Sequence, residues 1–136
     1  MVQVHLADAR AWLAREAARQ GAAGDGFDLI VDDIYEESGG VARKPDGWRR
    51  ALDQAHRLLR PGGILVVNTL SGKEERIFRP RRTRGALRLR LRGYDNRILL
   101  VGRENPVRAR AVRRLLARFA PLRRTLRRTS IRGVAD

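Results

Sequence analysis

The sequence predicts an α/β fold in which parallel strands alternate with helices and an antiparallel hairpin and a terminal helix close the chain. Three observations predict it. Leu29, Ile30 and Val31 form one short apolar run and Ile64, Leu65, Val66 and Val67 another, each bounded by polar residues or glycine, the pattern of strands buried on both faces of a parallel sheet. Between them Trp48, Leu52, Ala55 and Leu59 recur at helical spacing. Beyond them Leu87, Leu89 and Leu91 alternate with arginines, and a Gly93-Tyr94-Asp95-Asn96 turn leads to a second apolar run from Ile98 to Val101, which reads as a hairpin over residues 87–102.

Taken in order, Val2, Val4 and Leu6 alternate with Gln3 and His5, as in a strand with one wetter face. Residues 11–20 are rich in alanine and arginine and read as a helix. Gly21, Gly24 and Gly26 then mark a turn, and the first apolar run follows. Residues 38–47 read equally well as a mobile flap or as an ordinary surface loop. Asp46 is placed to cap the next helix, and Pro61-Gly62-Gly63 to stop it before the second run. After the hairpin, Pro106 suits a first helical turn, and Val107, Ala111, Leu115 and Phe119 make one apolar stripe on a helix that should end near Pro121. Residues 122–136 hold few apolar groups and predict a basic, frayed tail beside a single domain over residues 1–121.

With 136 residues the chain has enough length for one core. The absence of cysteine removes disulfides, thiol nucleophiles and thiolate metal sites, and the two histidines, His5 and His56, lack ligand partners at metal-binding spacing, so no metal is expected. No long apolar stretch and no signal-like start are present, which predicts no membrane association and a cytoplasmic protein. Charge is divided sharply along the chain. Residues 1–78 carry 11 Lys/Arg against 12 Asp/Glu, whereas residues 79–136 carry 19 against 3. Such a basic face allows nucleic acid or another acidic partner. Against it, only Lys44 and Lys73 of the 30 basic residues are lysines, a skew that codon bias alone produces, and Tyr94 and Phe119 are the basic region's few aromatics for base stacking.

Asp8 at the end of the first strand, Asp32 and Asp33 at the end of the second, Arg60-Pro61-Gly62-Gly63 entering the third, and Gly93-Tyr94-Asp95-Asn96-Arg97 before the last together carry a family resemblance. Over residues 2–103 the chain resembles the class I S-adenosylmethionine-dependent methyltransferase fold, most closely its spermidine synthase-like (polyamine aminopropyltransferase-like) branch. The resemblance implies a Rossmann-like sheet with ligands outside the carboxyl ends of its strands. It implies S-adenosylmethionine or its decarboxylated form as co-substrate, a small amine or other methyl acceptor, and transfer of a methyl or aminopropyl group. By the same resemblance Asp8 and Ala9 take the adenine, and Asp32 accepts a proton from the attacking amine. Each has a plainer alternative, a helix cap for Asp8 and a loop-ordering role for Asp32. The family pattern repeats an aspartate followed by proline where this chain has Tyr35 and Glu36. Asp33, Glu36 and Glu37 still make an acidic mouth able to attract a cation, with a solvated loop as the plainer alternative, and Asp33, Tyr35 and Glu36 are the candidates for the acceptor side.

The glycine-rich turn and the ribose-binding acidic residue of the family's first two strands have no counterpart, so the fold is expected to be truncated. Without those strands either residues 2–6 and 27–32 pair directly or an apolar edge such as Leu29-Ile30-Val31 is left to recruit another chain, so a homo-oligomer, a poorly stable chain or a reading frame with more sequence upstream is expected. Three functions follow: a transferase whose site is completed from elsewhere, a non-catalytic family member acting as an oligomeric subunit, and an arginine-rich nucleic-acid binder.

Overall fold

A computed structural model describes residues 6–20, 26–77 and 85–134. Helix α1 (Ala9–Gln20) is followed by strand β1 (Phe27–Asp32), a two-stranded ribbon of β2 (Glu36–Ser38) and β3 (Val41–Arg43), helix α2 (Trp48–Arg57), strand β4 (Leu59–Thr69) and the short helix α3 (Gly72–Ile77). Strands β5 (Leu87–Leu91) and β6 (Arg97–Gly102), helices α4 (Ala109–Arg118) and α5 (Ala120–Leu126), and strand β7 (Thr129–Gly133) complete the chain. The main sheet has the order β1-β4-β6-β5-β7. β1 runs parallel to β4, and every other pairing is antiparallel, so the fold is α/β with a mixed sheet.

The core lies between α2 and one face of the sheet. Trp48, Leu52 and Ala55 descend from α2 onto Leu59, Leu65, Val67, Leu99 and Val101, each of them at most 4% exposed. α1 joins this layer through Leu13 and through Trp12, whose ring lies 6.2 Å from that of Phe27. On the other face α4 and α5 cover β5 and β7, enclosing an apolar cavity of about 300 Å3 lined in part by Leu89, Ile98, Leu116 and Leu126.

The hairpin forms as expected, with Leu87 opposite Leu100 and Arg90 opposite Arg97. Several other expectations change. Leu29 and Val31 are not buried on both faces: they are 56% and 62% exposed, because among the described residues β1 is a sheet edge and α4 and α5, on that side of the sheet, lie over β5 and β7 at its far end. An apolar run shows that a strand is able to be interior without supplying its neighbour. The strand expected over residues 2–6 and the turn glycines Gly21 and Gly24 lie, apart from Leu6, outside the described residues. Asp46 does not cap α2, which starts from Gly47 at φ 75° with no side-chain cap.

Pro61-Gly62-Gly63 does not stop the helix either. α2 ends at Arg57, and the three residues lie inside β4, where the register with β1 jumps from Phe27–Leu59 to Leu29–Ile64. Strand and bulge pack closely there: a Cβ on Gly63 would stand 2.7 Å from the Phe27 carbonyl oxygen. At the carboxyl end, α4 begins at Ala109 rather than at Pro106 and ends at Arg118, close to the expected end near Pro121, which itself sits in the first turn of a further helix, α5. The frayed tail expected from residue 122 is instead α5 and β7, with Ile131 opposite Leu89 and 6% exposed.

Candidate functional site

The parallel pair β1–β4 directs its carboxyl ends toward one rim of the sheet, and the residues singled out in the sequence gather there. Asp32, the last residue of β1, turns its side chain onto the α2 face beside Val67. Its Oδ2 accepts hydrogen bonds from Lys44 Nζ at 2.8 Å and Trp48 Nε1 at 3.0 Å. The Lys44 and Asp32 side chains are 5% and 7% exposed, so this is an ion pair withdrawn from water. Lys44 also donates to the Ile34 carbonyl at 3.1 Å, and its ammonium lies 4.0 Å from the centroid of the Tyr35 ring and 4.8 Å from that of Trp48. The cation is thus satisfied by a carboxylate, a carbonyl and two ring faces.

Tyr35 occupies the middle of this arrangement. Its hydroxyl donates to the Asn68 carbonyl at 2.8 Å. Burial pushes that hydroxyl well above its ordinary pKa of 10.0, and the charges of Glu74, Asp32 and Asp33 push it further, so Tyr35 stays protonated and remains a donor. The Asn68 side chain donates to Asp33 Oδ1 at 2.8 Å and accepts from Asn96 Nδ2 at 3.2 Å. A chain of amides therefore ties the acidic residue after β1 to the turn before β6.

Asp8 and Glu36 meet through Arg10, whose guanidinium lies 3.4 Å from Asp8 Oδ2 and 3.9 Å from Glu36 Oε1 and donates to the Asp46 carbonyl at 3.0 Å. Asp8 caps α1: its Oδ1 accepts from the Ala11 amide at 2.9 Å, and the Trp12 amide donates to its main-chain oxygen. The Ala11 hydrogen bond holds the Asp8 carboxyl below its ordinary value of 3.8, opposed by partial desolvation and aided by the Arg10 charge. Ala9 is the first residue of α1.

Asp8 and Glu36 thus form one group, Asp33 and Tyr35 a second around Asn68, and Asp32 lies beneath both, closed off by Lys44. Of residues 38–47, the first part belongs to the β2–β3 ribbon and residues 44–47 connect it to α2, with Lys44 tied back to Asp32 and to the Ile34 carbonyl. Sequence reasoning assigned no role to Lys44, Asn68, Asn96 or Arg10. One signal was available for Lys44: it is one of two lysines in a chain that otherwise uses arginine, and lysine's compact ammonium suits a small cage that a guanidinium would overfill.

His56 faces the sheet, with Nε2 3.3 Å from the Gly102 carbonyl oxygen. Among the described residues no three or more His, Asp or Glu side chains cluster to hold a metal ion, and no helix is long and apolar enough to cross a membrane. Comparison with family models, with curated proteins and with solved structures finds no match to this chain.

Proposed function

We propose that this chain is a spermidine synthase-like member of the S-adenosylmethionine-dependent transferase fold, with an adenosyl ligand and an amine or other acceptor meeting at the carboxyl ends of β1 and β4. One observation carries the reading: Arg10 brings Asp8 from ahead of α1 to Glu36 beyond β1, on the rim where Asn68 of β4 holds Asp33 and Tyr35. Ligand sites of open Rossmann-like sheets lie at this end. The β5–β6 hairpin beside the parallel pair is the close expected of such a fold and supports the same reading.

In this chemistry the acceptor nitrogen forms a bond to the carbon beside the sulfonium sulfur, the electrons of the broken carbon–sulfur bond return to sulfur, and the nitrogen's surplus proton passes to a base. Asp32 has the position for that base, but its Oδ2 is held by Lys44 and Trp48. Proton transfer to that oxygen requires Lys44 to withdraw. The same ion pair favours a second reading, in which the chain is a non-catalytic family member acting as an oligomeric subunit.

Native mass spectrometry with S-adenosylmethionine, its decarboxylated form and methylthioadenosine tests both. An adenosyl adduct lost in Asp8→Ala supports the transferase site, and the ligand retained most strongly distinguishes methyl from aminopropyl transfer. A stable oligomer without any adduct supports the subunit. An adduct unchanged by Asp8→Ala removes the adenine assignment.

A further inference from the structure

The α2 face of the sheet is apolar around Leu65, Val67, Leu99 and Val101 and becomes cationic from Arg97 of β6 across β5 and β7. Arg88 and Arg90 of β5, Arg97 of β6, and Ser130 and Arg132 of β7 line a concave site of about 300 Å3. Alternation along the strands places them there: Arg88 stands opposite Arg132, and Arg90 stands opposite both Ser130 and Arg97. Two pairs of like charges therefore face one another directly across neighbouring strands, an arrangement that opposes sheet formation unless an anion relieves it.

Among the described residues a single carboxylate reaches these arginines. Glu75 of α3, 6% exposed, accepts from Arg88 through both oxygens at 2.9 and 3.2 Å and from Arg97 at 3.0 Å. It neutralises one of four charges and fixes two guanidiniums in place. Among the described residues no carboxylate pairs with Arg90 or Arg132. The site thus keeps an excess of cationic donors, partly pre-oriented by a buried partner and joined by the Ser130 hydroxyl.

We infer that this groove binds a compact polyphosphate anion. Guanidiniums offer paired N–H groups that match phosphate oxygens, and their fixed planes favour bidentate contact. The enclosed volume lies at the lower limit of small-ligand sites. No aromatic side chain lines it, so the ligand is recognised by its phosphates alone, without stacking of a base. The inference concerns the opposite side of the sheet from α4 and α5 and is independent of the adenosyl site.

Calorimetric titration of the full chain with tripolyphosphate tests it, with orthophosphate and a single-stranded oligonucleotide as comparisons. Saturable one-to-one binding of tripolyphosphate is expected, stronger than that of orthophosphate and weakened about tenfold or more by Arg90→Ala and by Arg132→Ala. Arg110→Ala, on α4, is expected to leave it unchanged. Both groove arginines are exposed, and circular dichroism verifies that the variants fold. Absence of saturable binding, or equal weakening by Arg110→Ala, overturns the inference. Stronger binding of the oligonucleotide through Arg90 and Arg132 also overturns it, assigning the groove to a polynucleotide backbone instead.

Discussion

Lys44 closes the base of the acidic rim because its ammonium replaces water with Asp32, a carbonyl and two aromatic faces. Removing one partner of such a pair leaves the other charge buried and uncompensated, which costs more than the intact pair contributes. Lys44→Ala is expected to lower unfolding free energy by about 3 kcal/mol, measured by urea denaturation, whereas the same change at exposed Lys73 is expected to have little effect. Unchanged stability in Lys44→Ala would show that Asp32 finds water or another donor. The individual acids of the rim were legible in sequence because a strand's carboxyl end follows from where its apolar run stops. Their partners were not. Lys44 is twelve residues from Asp32, Asn68 is 35 from Asp33, and Asn96 is 28 from Asn68, and no local periodicity reports contacts made by chain reversal. Asp8 shows the complementary case, since its capping role was foreseen from its position ahead of a helix while any adenine contact rests on resemblance.

At the level of elements, α1, α2, β4 and the hairpin were legible because each carries a period of its own. Their boundaries shifted where tertiary pairing prevailed over local signals. Leu59 continues the apolar stripe of α2, yet it belongs to β4, where its fully buried side chain reaches the same core from the sheet. β7 went unseen for a related reason: Thr-Ser-Ile-Arg-Gly has one apolar residue, enough for an edge strand with a single inward position but too little to register as a strand alone. If β7 is docked, Ile131→Ala leaves a cavity against Leu89 and is expected to cost about 2 kcal/mol in thermal or chemical unfolding. A frayed segment would tolerate the change without measurable effect. Hydrogen exchange offers an independent check, because the amides that β5 and β7 share should be protected together.

On the scale of the whole molecule, the sheet has a covered half and a bare half. α4 and α5 cover one face over β5 and β7, whereas Leu29 and Val31 stand exposed on β1 with Ile64 and Val66 only partly buried beside them. An apolar strand at a sheet edge pairs readily with a second chain. Self-association through β1 is expected, measurable by sedimentation, and a double substitution Leu29→Lys and Val31→Lys is expected to shift the population toward monomer without unfolding the α2 core. Association that persists in the double variant would place the contact elsewhere. The α/β class was legible because it depends on the alternation of periods. That Leu29-Ile30-Val31 could be left as an edge followed only from the family's missing strands, because the local apolar pattern of a strand does not specify its neighbours.

The two edges of the sheet also differ in kind. β1 offers aliphatic side chains, while β7 carries Arg132 and is bordered by Arg128. Two copies joined along β1 would each present the cationic edge outward, and those edges repel. Association through β1 is therefore expected to stop at a closed pair instead of continuing into a fibril, which the same sedimentation measurement reads as the absence of species larger than a dimer.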